Sequence, residues 1–179
     1  KIYGDSNVAA TDMRECKALG EDGPFEVLNA LDATAMASVV ARHHVDTIFN
    51  LVALLSAVGE RNPQMAWQVN MGALNNSLEV ARQHHCALFT PSSIGAFGPT
   101  SPKDKTPQDT IMQPTTIYGV CKVTGELLSN YYHHKFGVDT RSVRFPGIIS
   151  NVTLPGGGTT DYAVEIYYEA IRSGRFTCP

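Results

Sequence analysis

The sequence lacks the features of several large classes of protein. Its 179 residues contain no apolar run near the ~18 residues that a membrane span needs. Acidic and basic residues nearly balance at a net charge of −3, which argues against nucleic acid as the main partner. The cysteines stand far apart without a CxxC pair, which indicates free thiols in a reducing compartment: Cys16, Cys86, Cys121 and Cys178. With 43% hydrophobic residues, the chain is too apolar for general disorder and long enough to bury a core.

Short β-branched runs alternate with longer helical patterns along the chain. The predicted strands cover residues 7–12, 25–28, 46–52, 87–90 and 139–144, and the predicted helices cover residues 34–44, 63–84, 117–135 and 161–173. The near-continuous apolar run at 46–52 is typical of a strand that is covered on both faces. Strands and helices that alternate in this way predict crossover connections and a doubly wound, parallel α/β sheet.

Three His-His doublets, at 43–44, 84–85 and 133–134, could in principle bind a metal ion. Each doublet falls at the end of a predicted helix, just before a strand, where an imidazole interacts favourably with the negative helix terminus. The doublets lie on three separate segments without i, i+4 pairing. We therefore expect no metal site.

The strongest local signal is a tyrosine and a lysine four residues apart in Tyr118-Gly119-Val120-Cys121-Lys122. On the predicted helix, Tyr118 and Lys122 lie on one face, so their polar ends can converge. A free phenol titrates near pH ~10 and is a poor base at neutral pH, whereas an ammonium beside it favours the phenolate. The pair therefore suits proton exchange with an alcohol or a ketone, although YxxxK alone also occurs on ordinary helix surfaces.

Two serines, Ser92 and Ser93, follow the predicted strand 87–90. In a parallel sheet, the ligand crevice opens at the carboxyl ends of the strands. A hydroxyl there can hydrogen-bond the substrate oxygen whose proton the tyrosine takes, although the two serines by themselves favour a simple turn or a helix cap. Combined with Tyr118 and Lys122, they predict a catalytic site. The Pro-, Ser-, Thr- and Lys-rich segment 98–113 is long enough to be a functional loop.

Ser93 with Tyr118-x-x-x-Lys122 resembles the catalytic triad of the extended short-chain dehydrogenases/reductases, the NAD-dependent epimerase/dehydratase group. The resemblance implies a Rossmann-like doubly wound sheet, an NAD cofactor and a small-molecule substrate. It also implies that Tyr118 exchanges the proton, that Lys122 holds the nicotinamide ribose, and that Ser93 orients the reacting oxygen.

Further positions resemble the cofactor-binding positions of that family. Asp12 is placed like the acid that holds the adenosine ribose, and a carboxylate there favours NAD over NADP, whereas Arg14 nearby could accept a 2′-phosphate. Asp32 is placed like the aspartate that contacts adenine. The implied cofactor-binding set is Asp12, Met13, Arg14, Leu31, Asp32, Ala53, Leu54, Asn70, Tyr118, Lys122 and Ile148.

Within the family, segments 54–63, 144–150 and 155–163 resemble the short-chain-type L-threonine 3-dehydrogenases. Nucleotide-sugar epimerases usually carry Asn-Pro after the aromatic residue of the second segment, where this chain has Phe145-Pro146-Gly147. Three consecutive glycines at 156–158 would let backbone amides approach a small carboxylate closely. The resemblance implies oxidation of L-threonine to 2-amino-3-oxobutyrate, with these residues at the substrate: Ser56, Ser93, Tyr118, Gly158 and Thr160.

No GxGxxG occurs in the sequence. That fingerprint should precede the ribose-binding acid by about 20 residues, which would place it before Lys1. We therefore expect residues 1–150 to form a nucleotide-binding domain without its first strand and phosphate-binding loop, and residues 151–179 to begin the substrate-binding part. Two alternatives stay open: a nucleotide-sugar epimerase, dehydratase or reductase of the same family, and a truncated relative without catalytic activity.

The resemblance further implies a homodimer formed through the predicted helices 63–84 and 117–135. The apolar residues of helix 63–84 would serve equally well as core against the sheet. Family members of this type are mitochondrial in eukaryotes and cytoplasmic in bacteria, and the sequence does not distinguish the two.

Overall fold

The computed structural model describes residues 2–16, 23–149 and 161–178. The strands are β1 (Ala10–Asp12), β2 (Phe25–Val27), β3 (Thr47–Phe49), β4 (Ala87–Phe89), β5 (Ser92–Ser93), β6 (Thr140–Arg141) and β7 (Arg144–Phe145). The α-helices are α1 (Ala33–Arg42), α2 (Ser56–Arg61), α3 (Pro63–His84), α4 (Ile117–Phe136) and α5 (Tyr162–Ser173). Short 3₁₀ turns lie at Asp5–Asn7 and Ile94–Ala96.

The chain forms two compact units. The first unit consists of residues 1–52, 71–90 and 128–141, and the second unit consists of residues 53–70, 91–127 and 142–179. The first unit therefore holds β1–β4 and β6, and the second unit holds β5, β7 and the amino-terminal half of α4. The predicted domain boundary near residue 150 falls among residues 150–160, which are outside the described residues, and it stays a prediction.

The strands of the first unit confirm a parallel α/β fold. β1 pairs with β2, and β3, β4 and β6 form a second sheet in that order, with every pairing parallel. A doubly wound sheet has the strand order 3-2-1-4-5-6. Without its first strand, that order leaves one group of two strands and one of three, which is the grouping observed here.

The second unit contains a separate parallel pair, in which Ser92 of β5 lies opposite Arg144 of β7. The prediction of one continuous strand over residues 139–144 is wrong, because β6 ends at Arg141 and β7 begins at Arg144. Each half pairs with a different partner, β6 with β4 and β7 with β5, so the break follows the partner strand.

Helix boundaries follow local capping chemistry. Asp32 accepts a hydrogen bond from the Ala35 amide at 2.9 Å and so caps the start of α1. α1 and α3 are followed by His44 and His85 in the left-handed region, at φ 50° and 58°, so these doublets do lie at helix ends. α2 was missed by the sequence pattern because a six-residue helix has little periodicity. No helix in the described ranges has the length and apolar composition needed to cross a bilayer.

The core of the first unit lies between α1, α3 and the carboxyl half of α4. Its members come from several elements and include Leu28, Met36, Val39, Val40, Leu74, Leu78, Val80, Ala81, Cys86, Leu88, Tyr132 and Val138. Leu78 is completely buried at the centre of this cluster. At the rim of the core, the Tyr132 hydroxyl donates to Glu79, and Arg82 donates to the same carboxylate. Burial, followed by the hydrogen bond to Glu79, raises the pKa of Tyr132 to about 12.

In the second unit, α4 lies so close to the segment after β5 that a glycine is required on the helix. A Cβ built on Gly119 would lie 2.3 Å from the Gly95 carbonyl oxygen and 2.5 Å from the Pro114 Cβ. Only glycine therefore fits at position 119 without a shift of the backbone. This contact places the amino-terminal half of α4 directly beside β5.

We expect Leu78→Ala to lower the free energy of unfolding by about 2–5 kcal/mol, because it removes buried methyl groups and leaves a cavity. The matched control is Leu51→Ala, which truncates the same side chain at a loop position that is 68% exposed. The control should cost no more than about 0.5 kcal/mol. Urea unfolding followed by circular dichroism measures both, and equal losses would contradict the assigned core.

We expect Gly119→Ala to destabilise the protein by about 1–3 kcal/mol, because its new methyl group meets backbone atoms that cannot rotate away. Gly72→Ala in α3 is the control, since its methyl group would meet only the end of the flexible Leu31 side chain, at 2.8 Å. That replacement should be neutral or stabilising, because alanine favours a helix over glycine by about 1 kcal/mol. A thermal melt that ranks the two variants in the opposite order would refute the close approach.

Candidate active site

The first turn of α4 carries Tyr118 and is held by two side chains. The Ile117 amide donates to Glu60 Oε1 of α2 at 2.7 Å, and the Gly119 amide donates to Thr116 Oγ1 at 3.1 Å. Both acceptors satisfy amides that have no partner inside the helix. The negative charge of a carboxylate also interacts favourably with the positive end of the helix dipole. Tyr118 therefore projects from a turn whose backbone is fixed.

Ser93, Tyr118 and Lys122 come together at the end of β5. A Cβ built on Gly95 would lie 3.4 Å from Ser93 Oγ and 3.4 Å from the ring atoms Cδ1 and Cε1 of Tyr118. Lys122 Nζ lies 5.2 Å from the centroid of the same ring. The hydroxyl, the phenol and the ammonium thus surround one small region of the second unit.

Lys122 is held in place by the backbone beside β5. Its Nζ donates to the Pro91 carbonyl oxygen at 2.6 Å. Burial lowers the pKa of Lys122 from its ordinary value. An ammonium has three hydrogens, so this bond leaves two for a bound ligand such as a ribose hydroxyl.

Ser93 caps a turn, which is one of the two roles that its sequence context suggests. Its Oγ accepts a hydrogen bond from the Gly95 amide at 3.1 Å, so it caps the 3₁₀ turn Ile94–Ala96. That bond uses one acceptor position and leaves the hydroxyl hydrogen free to donate. Ser93 can therefore cap the turn and bind a substrate oxygen at the same time.

Asn70 is committed to the backbone of the segment around Leu54. Its Oδ1 accepts from the Leu54 amide at 2.7 Å, and its Nδ2 donates to the Leu54 carbonyl at 3.2 Å. The predicted cofactor positions Ala53 and Leu54 are half-buried. Asn70 therefore shapes this part of the site by fixing the backbone.

Other predicted cofactor residues lie in the first unit. Asp12 ends β1 on the surface, and its Oδ1 accepts from the Arg14 amide at 2.9 Å, which leaves a second oxygen for ribose hydroxyls. Asp32 caps α1 with one oxygen. Met13 and Leu31 are exposed beside these two acids. The second carboxylate oxygen of Asp12 is a group that can bind ribose hydroxyls.

The predicted substrate residues are only partly accounted for. Ser56 begins α2 and is half-buried, and within the described residues no hydrogen bond joins it to Ser93 or Tyr118. Ile148, predicted at the cofactor, is exposed. Gly158 and Thr160 lie outside the described residues. Across the ranges that the structure describes, no three His, Cys, Asp or Glu side chains are grouped so as to hold a metal ion.

Two acidic residues that support the site were missed from the sequence. Glu60 binds the first turn of α4, and Glu126 accepts a hydrogen bond from Ser92, the neighbour of Ser93. Glu126 follows Lys122 by four residues and Tyr118 by eight. That spacing continues the face that carries the catalytic pair, and it is the signal that could have identified Glu126.

The chain is similar over nearly its whole length to proteins of known sequence and known structure. The chain is 60% identical over 179 residues to an uncharacterized epimerase/dehydratase of Staphylococcus haemolyticus, a match that covers 99% of this chain and 56% of the relative. The X-ray structure of an L-threonine dehydrogenase from Clostridium difficile superposes with a TM-score of 0.93 at 54% identity, over 98% of this chain and 56% of that one. The crystal structure of an L-threonine dehydrogenase from Phytophthora infestans superposes with a TM-score of 0.88 at 53% identity. That match covers 94% of this chain and 54% of the other.

The chain thus spans a little more than half the length of these relatives. The sequence model described as the NAD dependent epimerase/dehydratase family matches residues 4–174, which is almost the whole chain. The chain belongs to that family, whose cofactor is NAD.

Proposed function

We propose that the protein oxidises L-threonine at its secondary alcohol to 2-amino-3-oxobutyrate, with NAD as the oxidant. The observation that carries this proposal is the convergence of Ser93, Tyr118 and Lys122 around Gly95. The similarity to solved L-threonine dehydrogenases at 53–54% identity supports the choice of threonine.

Each of the three side chains has a distinct part in the reaction. The phenolate oxygen of Tyr118 takes the proton from the threonine hydroxyl. The Ser93 hydroxyl donates to the same substrate oxygen and orients it for this transfer. The Lys122 ammonium, 5.2 Å from the Tyr118 ring, stabilises the negative charge that the tyrosine carries as a base. NAD, when bound, accepts the hydride that leaves the β-carbon of the substrate.

The segment after β7 supports a small substrate over a sugar nucleotide. This chain has Pro146 and Gly147 where the epimerases usually carry an asparagine and a proline. The proposed threonine contacts beyond the catalytic pair are Ser56, Gly158 and Thr160, of which the last two lie outside the described residues. Backbone amides at the glycines would suit the carboxylate of an amino acid.

We also propose that the protein forms a homodimer through α3 and α4. In the second unit these helices expose large apolar side chains, with Trp67 at 42% and Leu127 at 61%. Exposed apolar residues on adjacent turns are typical of an interface. The predicted compartment, mitochondrial in a eukaryote and cytoplasmic in a bacterium, stays a prediction.

We expect Tyr118→Phe to abolish threonine-dependent formation of NADH, because the variant keeps the ring and loses the proton acceptor. Ser93→Ala should reduce the rate by about 10²–10³-fold, since it removes one hydrogen-bond donor to the reacting oxygen. The measurement is absorbance at the NADH band, on the protein as its gene encodes it. Tyr131→Phe, an exposed tyrosine later in the same helix, is the matched control and should keep the full rate.

The same assay, together with a titration of the protein with NAD, separates the alternatives. Unchanged turnover in Tyr118→Phe would overturn the assigned base. Turnover of a UDP-sugar in place of threonine would favour an epimerase or dehydratase. The absence of an NAD binding isotherm would identify a non-catalytic relative.

A further inference from the structure

We infer that Glu126 is a positioning residue for Ser93, which it orients through Ser92 with the support of Arg144. The inference rests on the proposed function, because it concerns the geometry of the hydroxyl that binds the reacting oxygen. Glu126 itself does not need to touch the substrate. Its carboxylate accepts hydrogen bonds from Ser92 and Arg144.

Three successive turns of α4 contact the segment 91–95. The Tyr118 ring lies beside Gly95, Lys122 Nζ donates to the Pro91 carbonyl, and Glu126 Oε1 accepts from Ser92 Oγ at 2.5 Å. The residues on α4 stand at i, i+4 and i+8, so they share one face of the helix. The face that supplies the base and the ammonium therefore also holds the strand that supplies the serine.

The alternation of side chains in a strand links Ser92 to Ser93. Successive side chains of a strand point to opposite faces, so fixing the direction of one fixes the direction of the next. Ser92 is 4% exposed and directed at Glu126, whereas Ser93 is half-buried beside Tyr118. A rotation of β5 that moved the Ser93 hydroxyl off the substrate oxygen would break the bond between Ser92 and Glu126.

Arg144 keeps the Glu126 carboxylate ionised and in place. Its Nε donates to Oε1 at 2.9 Å and its Nη2 to Oε2 at 2.8 Å, in a pair whose side chains are only 17% and 14% exposed. Burial raises the pKa of Glu126, and the hydrogen bonds from Arg144 and Ser92 outweigh it, so the pKa lies below its ordinary value. Arg144 is also opposite Ser92 in the pairing of β5 with β7. The carboxylate thus connects the helix to both strands of the pair.

Arg144 makes two further contacts besides its ion pair with Glu126. Nη1 donates to the Gln108 carbonyl at 2.9 Å, and the guanidinium lies 5.3 Å from the centroid of the Phe97 ring. Gln108 belongs to the long loop 98–113, so the same ion pair ties that loop to the strand beside the site. Arg144 therefore connects Glu126 with the loop as well as with β7, and this is the arrangement that we expect of residues that position a site.

Glu79 offers a matched control in the first unit. Its carboxylate accepts from the Tyr132 hydroxyl and from Arg82, so it has the same three kinds of group as Glu126 with Ser92 and Arg144. Neither α3 at that point nor the carboxyl half of α4 carries a residue of the proposed catalytic set. Glu79→Gln therefore reports the structural cost of weakening such a cluster.

The experiment measures kcat, KM for threonine, NAD affinity and unfolding midpoint for Ser92→Ala, Glu126→Gln and Glu79→Gln, in the protein as its gene encodes it. We expect kcat to fall about 10- to 100-fold in Ser92→Ala and Glu126→Gln, because a misplaced group can cost that much. The affinity for NAD should change by less than about threefold, which is much smaller than the expected fall in kcat. Glu79→Gln should lower the unfolding midpoint without lowering kcat.

A second step tests whether the effect passes through Ser93. In a Ser93→Ala background, Ser92→Ala should lower kcat no further, because the hydroxyl that it positions is already absent. If Glu126→Gln fails to fold, Ser92→Ala carries the test alone, since it leaves the ion pair intact. A kcat unchanged in Ser92→Ala, or losses that multiply independently of Ser93, would overturn the inference while the proposed function stands. No threonine turnover in the unaltered protein would overturn both.

Discussion

The contact between α4 and the segment around β5 is the constraint on which the candidate site depends. At Gly119 the helix meets the Gly95 carbonyl so closely that no side chain fits between them. This distance allows Lys122 to reach the Pro91 carbonyl and the Tyr118 ring to lie beside Ser93's turn. The groups of the candidate site come from two segments, and their spacing follows from how closely the two backbones approach.

The same contact gives charged groups of α4 direct partners on the segment 91–92. Helix α4 presents an ammonium and a carboxylate one turn apart, and the strand presents a carbonyl and a hydroxyl in adjacent residues. Each charged group has a partner at 2.5–2.6 Å on the segment that it orients. A buried charge without a partner would be costly, so these bonds contribute to folding as well as to geometry.

The sequence predicts the class of fold, the span of α3 and the proximity of Ser93, Tyr118 and Lys122 well, and it predicts the supporting contacts poorly. Tyr118 and Lys122 are visible because helical periodicity is local, and Ser93 because a strand end is a known place for a ligand. The role of Glu60 could not be predicted, because its partner Ile117 is 57 residues away and no local pattern marks the pair. The predicted single strand over residues 139–144 instead forms β6 and β7, because strand pairing depends on the neighbouring strand as well as on propensity.

The division of the first unit's strands into two groups has a consequence for backbone protection. Within the described residues, β4 is the one strand of its sheet with a partner on both sides, and Leu88 at its centre is 1% exposed. β3 pairs on one side, and Phe49 at its end is half exposed. Among the strands that the structure describes, the amide hydrogens of β4 should therefore exchange with solvent most slowly. Slow exchange there would mark β4 as the part of the sheet that opens last when the protein unfolds.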